Sequence, residues 1–192
     1  MGHADLSPET LERVEPEVRA WLERWAGSAT VVVRAAAGLP VVIGRAVRAS
    51  GRRLVLLLPA DGAVTAPLPR HDRAAAGELL LLTDRVRLLD FDPDGREACI
   101  GADERMVRGS SRLLAVWDGS PSDGRDATAH LVAYARARGI PVDVVWPEGA
   151  SRAQAPARHL PHPPHPPYLP AVGRAPIGTP ARREGGRVRH PA

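Results

Sequence analysis

The chain contains no lysine, so all 26 residues counted as Lys or Arg are arginine. That uniformity reads as a high-GC coding bias, and the arginine count alone makes no case for nucleic acid. Cysteine occurs once, at Cys99, which excludes an internal disulfide and any multi-cysteine metal site within one chain. A buried, inert thiol is the expectation there. Aromatics are scarce, while Ala, Val, Leu and Arg are abundant. No apolar run approaches the length of a membrane span, and no basic-then-apolar leader opens the chain. A cytoplasmic bacterial protein that does not engage the membrane is expected. Walker loop, Gly-x-Gly-x-x-Gly fingerprint and zinc signature are all missing, so no metal and no resident cofactor are expected.

What charge there is lies unevenly. Residues 151–192 hold seven Arg and one Glu, or +6, and residues 1–150 hold 19 Arg against 21 acids, or −2. The globular part therefore gives no electrostatic reason to bind DNA. Half of the 20 prolines also fall after residue 150, as in the run from Leu160 to Pro170. Proline without helix or strand period means polyproline II or disorder. The expectation is one domain over residues 1–150 and a disordered Pro/His/Arg-rich tail over 151–192. His162 and His165 in that tail are three apart, a spacing that aligns in polyproline II, but drift in a disordered segment explains them better.

The most informative stretch runs from Ser111 to Ala150. Leu113 to Trp117 is a short apolar run, the pattern of a strand buried on both faces. Turn formers follow from Asp118 to Pro121. Thr128 opens a helix with an apolar face at Leu131, Val132 and Ala135, and Gly139 ends it. Pro141 to Trp146 is the next strand. Two strands joined through a helix run parallel, with a right-handed crossover. Ligands of open parallel sheets bind beyond the carboxyl ends of the strands, which directs attention to the loop from Asp118 to Ala127.

Upstream, Ser7-Pro8-Glu9 is a helix start, and apolar residues at Leu11, Val14, Val18, Trp21, Leu22 and Trp25 continue the helix to about Ala26. Pro16 is expected to bend or fray it, and the two Trp residues to pack on the sheet. Strands are expected at Thr30–Val33, Arg53–Pro59 and Val86–Phe91, and helices at Val41–Ser50, Arg73–Thr83 and Glu97–Gly109. The residues from Asp61 to Arg70 read as loop. Three Asp residues within Asp90–Asp94 lack the twelve-residue frame of a calcium loop and read as a solvated turn. The fold class expected is α/β: a three-layer, Rossmann-like domain with a mostly parallel sheet of about five strands.

AVWDG, a Gly-containing turn ending in Thr128 and then VAYARARGIPVDVVWPEGA resemble the last crossover of the SLOG superfamily. That superfamily holds Rossmann-like nucleotide-binding domains related to the DNA-processing protein Smf/DprA and to the "lonely guy" phosphoribohydrolases. The resemblance covers about residues 1–150 and extends to GHADLSPET, which is similar to the turn after the superfamily's first strand. The strand itself is not expected here, since Met1 stands at the turn. Its loss would leave two apolar edges open, with homodimerisation or low stability as consequences; codons upstream of Met1 encoding it are the other expectation. The resemblance implies binding of a nucleotide or nucleotide derivative, with Gly2, His3, Gly38, Asp118, Gly119, Ser120, Gly124, Arg125 and Thr128 around the ligand. It also implies that Arg105, in Ala102–Met106, lies near it.

The chemistry of the loop is partial. An anion site needs converging backbone N–H groups and glycines that permit close approach. Gly119 and Gly124 are permissive, Ser120, Ser122 and Thr128 can donate, and Arg125 can pair with phosphate. Asp126-Ala127 stands where relatives carry Gly-Gly. Related phosphoribohydrolases place Glu three positions after the Thr, and here that position is Leu131. No catalytic residue is therefore expected; Asp118 is the alternative, either as the carboxylate for glycosidic hydrolysis or as the cap of its own turn. The function expected is non-catalytic nucleotide binding. A hydrolase of nucleotide N-glycosidic bonds and an interaction module acting through the tail are the alternatives.

Overall fold

The computed structural model describes residues 1–25, 29–121 and 127–153. The chain divides after Pro156, and the account below concerns the unit Met1–Pro156. Residues 154–192, most of the expected tail, lie outside the described residues.

The unit is mixed α/β. Helix α1 (Pro8–Arg24) starts as expected: Ser7 is the N-cap, its Oγ accepts from the Thr10 amide at 3.2 Å, and Pro8 fills the first turn. Val14, Val18 and Leu22 lie one turn apart and are buried. The helix runs through Pro16. The carbonyl that Pro16 leaves without a helical donor belongs to Glu12, and both residues are exposed, so water can take that donor's place.

Strand β1 (Thr30–Arg34) leads into α2 (Leu39–Ala49), which starts two residues before the expected Val41 because Pro40 is at home in a first turn. Strand β2 (Arg53–Asp61) is longer than expected and buried from Leu54 to Ala60. Gly62, at φ 60°, then turns the chain back into β3 (Val64–Thr65), antiparallel to β2. The expected loop thus begins with a small hairpin, the kind a positive-φ glycine permits. Helix α3 (Arg73–Leu82), β4 (Arg85–Asp90), α4 (Arg96–Arg108), β5 (Leu113–Val116), α5 (Ala127–Ala137) and β6 (Val142–Val145) complete the unit. Gly139, at φ 68°, takes the left-handed conformation expected after α5.

The strands do not form one sheet. β2 is central to the first, with β1 parallel on one side (Val31 beside Leu54, Arg34 beside Leu57) and β4 parallel on the other (Val55 beside Arg85, Ala60 beside Asp90). β5 and β6 form a separate parallel pair, Leu113 beside Val142. This corrects the expectation of a single sheet. At the amino terminus, the first strand was expected to be absent. Met1 to His3 instead lie along β5 as a parallel stub: Gly2 bridges Val116, the Met1 amino group donates to the Leu114 carbonyl at 2.8 Å, and the Val116 amide donates to the Met1 carbonyl at 2.8 Å.

One apolar cluster joins α1, α2 and α3 to β1 and β2. A second, smaller one joins Val107 of α4, Leu113 of β5 and Ala135 of α5. Residues after β6 return to the start of α1: the Ser151 amide donates to Thr10 Oγ1 at 2.7 Å, and Arg152 pairs with Asp5 at 2.9 Å. Among the described residues no helix is long and apolar enough to cross a membrane.

Candidate functional site

Beyond the carboxyl end of β5, the chain makes a tight turn. Asp118 accepts at Oδ1 from both the amide (2.8 Å) and the hydroxyl of Ser120. Gly119 sits between them at φ 84°, a conformation that side chains strain. Trp117 Nε1 donates to the Ser120 carbonyl at 3.0 Å and closes the turn from the other side.

His3 reaches this turn from 115 residues away. It is 1 % exposed, with Nε2 3.0 Å from Asp118 Oδ1 and 3.2 Å from the Asp118 amide. Nε2 serves one of these at a time: protonated, it donates to the carboxylate; bare, it accepts the amide. The Trp146 ring and the imidazole stand nearly perpendicular, 5.7 Å between centroids. Burial would raise the Asp118 carboxyl, but the two Ser120 hydrogen bonds and the His3 charge outweigh it and hold the group below its usual value. Asp118 is thus an ionised turn cap, a poor general acid at neutral pH.

Gly2 shows why this corner tolerates no side chain. A Cβ built there would stand 2.6 Å from Leu39 Cδ2 and from the Val116 carbonyl oxygen, and 2.8 Å from Val116 Cβ. Gly2 therefore wedges the stub between β5 and the first residue of α2. Gly38, the cap of α2 at φ 75°, is its neighbour in that turn. Gly2, His3, Asp118, Gly119 and Ser120 accordingly gather at the carboxyl end of β5, while Gly38 faces Leu11 of α1. Thr128 is buried in the first turn of α5, 3 % exposed. Gly124 and Arg125 lie outside the described residues. Arg105 is placed elsewhere: its guanidinium donates to the Asp90 carbonyl at 2.7 Å, at the end of the outer strand β4. Glu104, its neighbour in α4, pairs with His130 of α5 at 2.6 Å.

Two groups near the ends of β1 and β4 escaped the sequence reading. Arg34, the last residue of β1, forms a two-pronged pair with Asp103 of α4, at 2.8 and 3.3 Å. Burial would lower the Arg34 pKa, and Asp103 more than restores it, so the guanidinium stays charged. Asp72 Oδ1 accepts the Ala37 amide at 2.8 Å and fixes the turn before α2. The available signal was positional: a charged residue ending a parallel strand faces the crevice where such sheets bind ligands. Cys99 is half-buried, its Sγ 3.4 Å from the Pro93 carbonyl, and burial raises its thiol. Asp92 accepts the Asp94 amide within an exposed turn, and no group of three metal-ligating side chains occurs among the described residues.

Hollows also occur among the described residues. One, of about 310 Å³, lies between α1 and α2 and includes Leu11, Glu12, Glu15 and Gly38. Another, of about 540 Å³, runs between β1 and β5. Neither is lined by Asp118, Gly119 or Ser120. No protein-family model matches the chain. A search of curated proteins also returned no match.

Proposed function

We propose that this chain is a Rossmann-like domain of the SLOG type that binds a nucleotide or nucleotide derivative at the carboxyl end of β5, without catalysis. The observation that carries the reading is the convergence of Gly2, His3, Gly119 and Ser120 at the carboxyl end of β5. At Gly119, where nothing stands within 4 Å of an added Cβ, an anion can approach the backbone. The Asp118 carboxylate is committed to Ser120 and His3, which favours binding over glycosidic hydrolysis.

Calorimetric titration with AMP, ADP-ribose and NAD tests this. Binding that is lost in Gly119→Val supports it, and failure of all three ligands refutes it. Release of free base, abolished by Asp118→Asn, would replace it with the hydrolase reading.

A further inference from the structure

β4 is an open edge of the first sheet. β2 flanks it on one side, and among the described residues no strand pairs with its other side. Backbone N–H and C=O groups on that side are left without a ladder. Pairing sets Val86 beside Leu56 and Leu88 beside Leu58, and sets Arg85 beside Val55 and Arg87 beside Leu57. Residues paired this way share a face of the sheet, so β4 offers one apolar face and one basic face. Leu56 and Leu58 belong to the apolar cluster shared with α1, α2 and α3. Val86 and Leu88 continue that surface outward, 39 % and 43 % exposed. Leu80 and Leu81, just ahead of β4 in the chain, are exposed as well.

We propose that the β4 edge binds an extended acidic peptide of a partner protein, which adds to the sheet as one more strand with apolar and acidic residues in alternation. Charge argues for this occupant. Arg85 and Arg87 are exposed and form no ion pair among the described residues. Arg34, Arg45, Arg112 and Arg152 each hold a carboxylate. Asp90, the one acid on β4, shares the apolar face and leaves the basic face unopposed. An added strand sends alternate side chains to the two faces. Its apolar residues cover Val86 and Leu88, its acids meet Arg85 and Arg87, and main-chain hydrogen bonds fix it along the edge. β4 has six residues, so a segment of about six, rising roughly 3.3 Å each, fills it.

A second copy of the chain fits this edge worse. In a symmetric antiparallel pair, a two-fold axis normal to the sheet sets residues of the same face opposite each other. Centred on Val86, it places Arg85 opposite Arg87; centred on Arg87, it places that residue opposite its own copy. Like charges so opposed are destabilising. Centred on Leu88, it places Val86 opposite Asp90, a carboxylate against an apolar side chain. Residues 154–192 are no better suited, being rich in proline and arginine.

The test titrates the full chain with end-blocked hexapeptides: Val and Glu alternating, Val and Lys alternating, and Val and Glu in two blocks. Amide NMR shifts locate the site, and sedimentation reports the oligomeric state. The proposal expects saturable shifts from Arg85 to Asp90 with the alternating Val/Glu peptide, and none with the Val/Lys or block peptides. In the double variant Arg85→Glu, Arg87→Glu the preference reverses: the Val/Glu peptide weakens by roughly ten-fold, and the Val/Lys peptide binds. Both positions are exposed, so the melting temperature should stay unchanged. Should the double variant fail to fold, the Glu-against-Lys comparison on the unaltered chain decides the matter. Equal binding of those two peptides overturns the proposal, and so does an absence of shifts at millimolar Val/Glu peptide. Shifts confined to β1 and β5 overturn it by placing the peptide in the groove between them. A dimer without peptide, with β4 amides protected from exchange, overturns it by assigning the edge to a second copy.

Discussion

Replacing Gly2 with alanine probes the corner on which both the stub and the candidate site depend. The added Cβ would lie 2.6 Å from Leu39 Cδ2, 2.6 Å from the Val116 carbonyl oxygen and 2.8 Å from Val116 Cβ. Leucine can swing aside, but the Val116 carbonyl belongs to β5 and cannot. Overpacking of this kind costs about 1–3 kcal/mol. The chain can relieve it by releasing Met1–His3, which gives up three hydrogen bonds to Leu114 and Val116 at about 1 kcal/mol each. The cheaper route sets the loss, at about 1–3 kcal/mol. For a folded unit of this size that is a fall of roughly 2–12 °C in melting temperature. Urea unfolding with an unchanged slope measures it directly. Gly77→Ala is the control: it sits mid-helix in α3 with open space where its Cβ would go, and it should stabilise by up to about 1 kcal/mol. A Gly2→Ala loss below about 0.5 kcal/mol would show that the stub does not dock between β5 and α2.

Stability should also rise between pH 6 and 8. The Met1 ammonium has its pKa lowered from 8.0 to about 6 in the folded chain, so over that window the unfolded chain holds a proton that the folded chain has released. The gain should be on the order of 1 kcal/mol, discounted because Met1 is only partly buried; amino-terminal acetylation should abolish it, and a flat profile before acetylation would contradict the burial. Asp118, held below its ordinary value, contributes in a separate acidic window, its stabilisation being lost as pH falls through its folded pKa, and Asp118→Asn should shrink that acid-side loss. Trp21→Phe removes the 2.9 Å bond from Nε1 to Asp143 and should cost about 1 kcal/mol by thermal unfolding. Asp103→Asn leaves Arg34 partly buried without its counter-charge and should cost about 2 kcal/mol; a neutral result would mean that water screens the pair.

Local pattern carried most of the elements. The Ser7 cap, the apolar period through Val14, Val18 and Leu22, and the crossover from β5 to β6 were all legible, because burial on one helix face or both strand faces writes itself into neighbouring residues. The β3 hairpin was not, since Val64–Thr65 is too short to show alternation and Gly62 reads equally as loop. β4 alternates Arg85, Val86, Arg87 and Leu88 because it is an edge, and all four are exposed. The site divides the same way. The Asp118–Ser120 turn is local and was readable as a cap. The contact of His3 with Asp118, and that of Arg34 with Asp103, join distant segments and leave no periodic trace. The split between the sheets follows from pairing partners, which no single strand records.

The most direct test of nucleotide binding at the β5 end is an amide-resolved NMR titration with ADP-ribose. Saturable shifts concentrated at Gly2, His3, Gly119 and Ser120 are the predicted result. Shifts confined to the α1–α2 hollow or the β1–β5 groove, or none up to millimolar ligand, would contradict it.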